Sequence, residues 1–241
     1  MTDARTDDAH AESGVGVVVV AAGSGTRLGA DVPKAFVEID GVTLLETALD
    51  GVLASGVVDE IVVVAPAGWE ARAQECVDLA ASCPCAHRTA VVTGGAERTD
   101  SVAAGLAALS GDLDVILVHD AARCLAPPEL FGRVVAAVRG GAAGAVPGLA
   151  VVDTIKIVDA RGVVTGTPAR ADLRAVQTPQ GFSAPVLRAA HAAGIQATDD
   201  AALVEALGHE VVVVEGHPLA AKITTPEDLH RARALSAARA D

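Results

Sequence analysis

Two cations, Arg27 and Lys34, stand seven positions apart in a loop that reads Ala21-Ala22-Gly23-Ser24-Gly25-Thr26-Arg27-Leu28-Gly29 and runs on through Asp31 and Pro33. Glycines let the backbone approach an anion closely, so that its N–H groups can point at phosphate oxygens. Fixed cations in such a loop can stabilise the charge that develops on those oxygens in phosphoryl or nucleotidyl transfer, chemistry in which a protein mainly positions groups. The bland alternative, two solvated loop residues, leaves the surrounding glycine pattern unexplained. Further along, Asp120 follows the apolar run Val115–Val118. A carboxylate there can hold Mg2+ directly or through water beside triphosphate oxygens; the alternative is a buried structural acid paired with Arg123. The neighbouring His119 is expected to be structural, because an attacking phosphate oxygen is already ionised at neutral pH and needs no base.

Spacing excludes the two commonest anion-binding loops. A dinucleotide fingerprint requires G-x-G-x-x-G, but Leu28 occupies the third glycine's place and the next strand ends at Ala65-Pro66 without a ribose-binding acid. A Walker loop requires G-x-x-x-x-G-K-[ST], a string that does not occur.

The elements that must position these residues are short and aliphatic. Strand-like runs at Val15–Val20, Ile61–Val64, Val91–Val92, Val115–Val118 and Val211–Val214 alternate with helical spacing. Leu44, Leu45, Ala48, Leu49, Val52 and Leu53 make one apolar stripe; Val102, Gly105, Leu106 and Leu109 make another. This alternation predicts an α/β fold with a single doubly wound, mostly parallel sheet, Rossmann-like, covered by helices on both faces. Val151–Val158 and Gly162–Thr165, with Asp159, Ala160 and Arg161 between, read instead as a two-stranded ribbon. An isolated ribbon is marginally stable, so residues 151–170 are expected to form a protruding arm that clasps a second subunit. Residues 14–241 form one domain in this reading, and the polar residues 1–13 a disordered tail.

Composition narrows the partners. The 241 residues carry a net charge of −13, which argues against a nucleic-acid surface. The longest apolar stretch, Val15–Ala22, is too short to span a bilayer, and the N-terminus lacks a secretory pattern. Cys76, Cys83, Cys85 and Cys124 show neither metal-ligand nor disulfide-framework spacing. Reduced thiols in a cytoplasmic enzyme are the expectation.

The glycine loop with its downstream Pro33-Lys34 resembles nucleotidyltransferases of the glycosyltransferase-A-like superfamily. Gly94-Gly95-Ala96-Glu97-Arg98-Thr99-Asp100-Ser101-Val102, His119-Asp120-Ala121-Ala122-Arg123, Val152-Asp153-Thr154, Gln177-Thr178-Pro179-Gln180, Thr198-Asp199-Asp200 and Lys222-Ile223-Thr224 follow in order. That order resembles the 2-C-methyl-D-erythritol 4-phosphate cytidylyltransferases from Val15 to Leu229. The resemblance implies transfer of CMP from CTP to methylerythritol phosphate, with Mg2+, by a homodimer of the non-mevalonate isoprenoid pathway. It implies that Ala21, Ala22, Gly23 and Gly25 line the CTP site with Asp120 and Ala121, that Gly95, Ala96 and Ser101 surround the cytosine, and that Arg27, Lys34 and Lys222 are catalytic. Arg123, Asp153, Thr154, Thr178 and Thr198 would face the second substrate, and Arg170 would reach it from the partner subunit. Two of these residues have local alternatives: Ser101 as a helix cap and Thr198 as an N-cap before Asp199. Cys124 stands where a proline is common in the family, which loosens the expected turn at Arg123. Ribitol-5-phosphate cytidylyltransferase is the close rival; a noncatalytic nucleotide-binding module is disfavoured by the presence of Arg27, Lys34 and Asp120 together.

Overall fold

The computed structural model describes residues 14–23, 25–80, 88–195 and 197–240; the expected tail at residues 1–13, Cys83 and Cys85 lie outside them. In chain order the first half contains β1 (Val15–Val20), the short pair β2 (Glu38–Ile39) and β3 (Val42–Thr43), α1 (Leu44–Ala54), β4 (Glu60–Ala65), α2 (Glu70–Ala80), β5 (Arg88–Thr93), α3 (Arg98–Ala108) and β6 (Val115–Asp120). The second half contains α4 (Pro128–Arg139), β7 (Gly144–Ala150), β8 (Ile157–Val158), β9 (Val164–Gly166), β10 (Arg174–Val176), β11 (Gln180–Ser183), α5 (Ala184–Ala192), α6 (Asp200–Ala206), β12 (Val211–Glu215) and α7 (Pro226–Ala240).

The valine runs become strands because β-branched side chains suit a pleated surface buried on both faces. β1 lies at the centre, parallel to β4 on one side and β6 on the other, with Val20 beside Val64 and Asp120. β5 extends the β4 side in the same direction. Beyond β6 the sheet is mixed: β11 enters antiparallel between β6 and β7. β10 continues along the same edge of β7, since Gly148 pairs with Val176 on one side and Glu215 of the parallel β12 on the other. The sequence pattern does not anticipate this antiparallel insertion, because Gln180-Gly181-Phe182-Ser183 lacks the aliphatic run of the other strands.

Alternation along each strand separates two cores. Val15, Val17, Val19, Ile61, Val63 and Leu117 face α1, α2 and α4, whereas Val18, Val62, Val64, Ile116 and Val118 face α3, α5 and α6. The predicted stripes at Leu44–Leu53 and Val102–Leu109 are helices, and α1 starts where Thr43 Oγ1 accepts the Glu46 N–H (3.1 Å) while Glu46 returns the bond to the Thr43 N–H (2.7 Å). A smaller cluster, including Leu28, Leu44, Cys124, Ile223 and Ala232, ties the first loop to α7.

The arm is less regular than expected. Only its tip is paired, Ile157 opposite Gly166 and Val158 opposite Val164, while residues 151–156 form no strand. Asp159 shapes the turn by accepting the N–H groups of Arg161 and Val163 (2.9 Å each). No helix among the described residues is long and apolar enough to cross a membrane.

Candidate active site

The chain leaves β1 for β4 on one side and returns to β6 on the other, so the loops after β1 and β6 diverge at a topological switch point. Open α/β sheets bind ligands in such crevices beyond the strands' carboxyl ends. A cleft of about 350 Å3 lies there, lined by Ala21, Ala22, Gly23, Lys34, Gly95, Ala96, Ser101, Asp120, Ala121 and Lys222 among the residues singled out from sequence. Distant segments of chain therefore converge on one cavity.

The glycine loop leaves room for a ligand. A Cβ on Gly23 would meet no atom within 4 Å, and Gly25 adopts φ +67°, a left-handed conformation natural to glycine. A side chain at Gly25 would also strike Lys34, whose Cβ lies 2.5 Å from the added carbon's position. Gly25 thus allows the Lys34 turn to seat against the loop. Lys34 is half-buried, and its ammonium donates to the Ile223 carbonyl at 3.1 Å. Burial lowers its pKa, as does the adjacent charge of Lys222, with smaller contributions from Arg27 and Arg123. Phe36, two residues on, stacks on Trp69 with ring centroids 4.7 Å apart and anchors the turn.

Asp120 ends β6 and is buried, and the Lys222 ammonium lies 2.7 Å from its Oδ2. Burial alone would raise its pKa, but Lys222 and Arg98 outweigh that effect and hold it down at about 2. Its backbone N–H donates to Thr178 Oγ1 at 3.0 Å, and the Thr178 hydroxyl lies 3.1 Å from His119 Nδ1. His119 is fully buried against Phe131, and burial pushes its pKa down to about 4. A neutral imidazole away from the cleft agrees with the structural role expected of it.

The Gly94-Gly95 turn closes the other wall. Ser101 Oγ accepts the Gly95 N–H and donates to the Glu97 carbonyl, each at 3.1 Å. A Cβ on Gly94 would stand 2.5 Å from the Ala22 side chain, so this wall can approach the first loop only with glycine there. Ser101 does not cap α3: the N-cap position is Glu97, and the Asp100 carboxylate accepts its N–H at 3.1 Å.

Other singled-out residues stand outside the cleft lining. Arg27 is exposed on the turn after Gly25. Arg123 donates to the Ala220 (2.8 Å) and Val176 (3.3 Å) carbonyls and, contrary to the structural alternative, is not an ion-pair partner of Asp120, although its charge helps to lower the pKa of that acid. Asp120 pairs instead with Lys222 and Arg98. Cys124 keeps φ −58°, the value a proline would impose, so the turn at Arg123 is retained without one; burial pushes its thiol up to about 12. Thr178 is buried behind Asp120 rather than in the cleft. Asp153, Thr154 and Arg170 are exposed on the arm, where Arg170 donates to the Val152 carbonyl at 2.8 Å. Thr198 is exposed, and the cap of α6 is Asp199, which accepts the Ala202 N–H at 3.0 Å. Sequence reasoning passed over Arg98, which lines the cleft with Glu97; a cation inside the Gly94–Val102 string was the signal that pointed to it.

From residue 15 to residue 237 the chain matches the family model described as 2-C-methyl-D-erythritol 4-phosphate cytidylyltransferase. It is 56% identical to the protein of that name from Nocardia farcinica, spanning 97% of this chain and 99% of that protein. It is also 56% identical to the one from Rhodococcus opacus, spanning 90% and 93%. Among solved structures, the 4-diphosphocytidyl-2C-methyl-D-erythritol synthase of Anaerococcus prevotii superposes with a TM-score of 0.81 at 29% identity, and the Thermus thermophilus cytidylyltransferase with 0.72 at 37%; each comparison covers 94% of this chain and 99% of the other. With the glycine loop, Lys34, Lys222 and the buried Asp120 meeting in one cleft, the chain belongs to the 2-C-methyl-D-erythritol 4-phosphate cytidylyltransferase family and is a cytidylyltransferase.

Proposed function

We propose that this cleft joins the CMP unit of CTP to 2-C-methyl-D-erythritol 4-phosphate and releases pyrophosphate. The observation that carries the reading is the convergence of Lys34 and Lys222 beside Asp120 at the switch point, facing the open space at Gly23. The acceptor's phosphate oxygen attacks the α-phosphorus of CTP while pyrophosphate leaves from the opposite side. Both are anions, so the residues have charge to stabilise and no proton to remove. Lys34 and Lys222 bear on the α-phosphate, and Arg27 reaches it from the rim. Each contributes on the order of 3 kcal/mol, as other oxyanion donors do. The cytosine lies against Gly95, Ala96 and Ser101, where the Gly94-Gly95 turn leaves a pyrimidine-sized slot.

Among the described residues no three acids, histidines or cysteines cluster as a metal cage. One buried carboxylate suits Mg2+, which takes one or two carboxylates and leaves its other positions to phosphate and water. Asp120 would hold it, and when bound it neutralises triphosphate charge. On the acceptor side the reading assigns Arg123, Asp153, Thr154, Thr178 and Thr198, with Arg170 supplied by a second subunit whose arm buries the apolar residues of this one.

Pyrophosphate release measured with four nucleoside triphosphates and two acceptors, methylerythritol phosphate and ribitol 5-phosphate, tests the assignment. We expect turnover with CTP and methylerythritol phosphate, weaker discrimination against UTP than against purines, and little reaction with ribitol 5-phosphate. Equal turnover with ATP or GTP, or preference for ribitol 5-phosphate, would refute it.

A further inference from the structure

Arg98 opens α3 and lines the cleft, yet no step described above uses it. Its guanidinium spans two acids: Nη1 lies 2.7 Å from Asp200 Oδ2, and Nη2 lies 3.6 Å from Asp120 Oδ1. The acids come from opposite parts of the molecule, Asp120 from the end of β6 and Asp200 from the start of α6. Asp200 is 1% exposed, and its other oxygen lies 2.9 Å from His191 Nε2 on α5. A carboxylate only accepts, so the His191 proton sits on Nε2. Gln180 of β11 fixes the same turn, donating to Asp199 Oδ2 (2.9 Å) and accepting the Ala201 N–H (3.3 Å).

Asp200 is therefore an immobile anchor, and swinging Arg98 away would leave a buried carboxylate short of its charge partner. A planar guanidinium can serve two carboxylates at once, which an ammonium does less well. We infer that Arg98 is a positioning residue for Asp120: held from behind by Asp200 and His191, it fixes Oδ1 so that Oδ2 is presented to Lys222 and the nucleotide. The same bridge joins the nucleotide wall, α3 and β6, to the α5–α6 region that carries Thr198. This inference rests on the reading of Asp120 given above.

A double-mutant cycle separates positioning from a merely structural ion pair. Arg98→Met, Arg98→Lys, Asp200→Asn, Asp120→Asn and the Arg98→Met/Asp120→Asn double variant are compared by kcat, KM for CTP, calorimetric binding of CTP with Mg2+, and Tm. We expect Arg98→Met to lower kcat/KM by about 10- to 100-fold, the usual cost of losing a group that orients a ligand-holding residue, with Arg98→Lys recovering part of it. In the Asp120→Asn background the same change should cost less than about twofold, because the residue being positioned is gone. Asp200→Asn, which keeps the guanidinium but weakens its anchor, should show a smaller loss of the same kind and serves if Arg98→Met fails to fold. Fully multiplicative losses in the cycle, or an Arg98→Met enzyme that melts early yet keeps wild-type kcat/KM, would overturn the inference. Asp120→Asn with wild-type kinetics would overturn the reading of the cleft and the inference with it.

Discussion

Around the cleft, Lys222, Arg98 and Asp120 satisfy one another within a single chain, and buried strands hold them in place. Along the arm the opposite holds. Val152 is 78% exposed, and Ile157, Val158, Val163 and Val164 are each more than half exposed, while Arg170 bonds only to a carbonyl of its own arm among the described contacts. Apolar surface left in water forfeits roughly 25 cal/mol per Å2, so a contiguous exposed patch marks a surface meant for burial. The contrast teaches that the charged groups of the cleft find their partners within one chain, whereas the apolar residues of the arm are left uncovered by it.

The largest effect that tests this contrast is loss of the two cations of the first loop. Lys34→Ala and Arg27→Ala should each lower kcat at least about 100-fold, the factor that corresponds to about 3 kcal/mol of lost transition-state stabilisation, with Tm nearly unchanged. Near-normal turnover in both purified variants would remove them from the machinery. Arg27 is the sharper case, since it stands exposed on the rim.

Charging the arm should act through assembly instead. Ile157→Asp with Val164→Asp places two acids in the apolar patch and should convert a dimer to monomers by light scattering, with activity falling as the dimer is lost. A variant that stays dimeric would move the interface elsewhere. Mixing Arg170→Ala with Lys34→Ala subunits should then recover about a quarter of wild-type activity, because random pairing makes half the dimers mixed and each holds one competent site. No recovery despite demonstrated subunit exchange would end the shared-site reading.

A further test reads stability and leaves the catalytic groups untouched. His119 is held at about 4 in the folded chain, below its ordinary value near 6.5. The unfolded chain therefore takes up a proton that the folded one refuses between those values, and this contribution is present in full above pH 6.5. It is lost as pH falls towards 4, at about 1.4 kcal/mol per pH unit. Denaturant titrations of the wild type and His119→Gln across that window should show a steeper loss of stability in the wild type, the difference between the two slopes being the contribution of His119; equal slopes would mean that other groups control it.

Much of the site was legible because its signals are local. The glycine loop had to be glycine for Gly25 to take φ +67° against Lys34, and a carboxylate directly after an aliphatic strand had to emerge at that strand's end. Arg98 was hidden for the opposite reason: its two carboxylates, Asp120 and Asp200, are 22 and 102 positions away, the latter as its hydrogen bond records. Ser101 and Thr198 were ambiguous because a hydroxyl near a helix start suits several partners, and the nearest carboxylates, Asp100 and Asp199, took the capping roles.

What the residues determined unaided is the continuous aliphatic runs of the central strands, the helical stripes of α1 and α3, the glycine-rich character of the first loop and the family. These depend on neighbours a few positions apart. The tertiary structure alone decided that β11 and β10 enter antiparallel beside β7, that Lys222 closes on Asp120 across 102 positions, and that Arg123 turns to carbonyls rather than to that acid. Those outcomes depend on which distant segments share a sheet edge or a buried charge, and the energy of a contact between them appears only once the chain has brought them together.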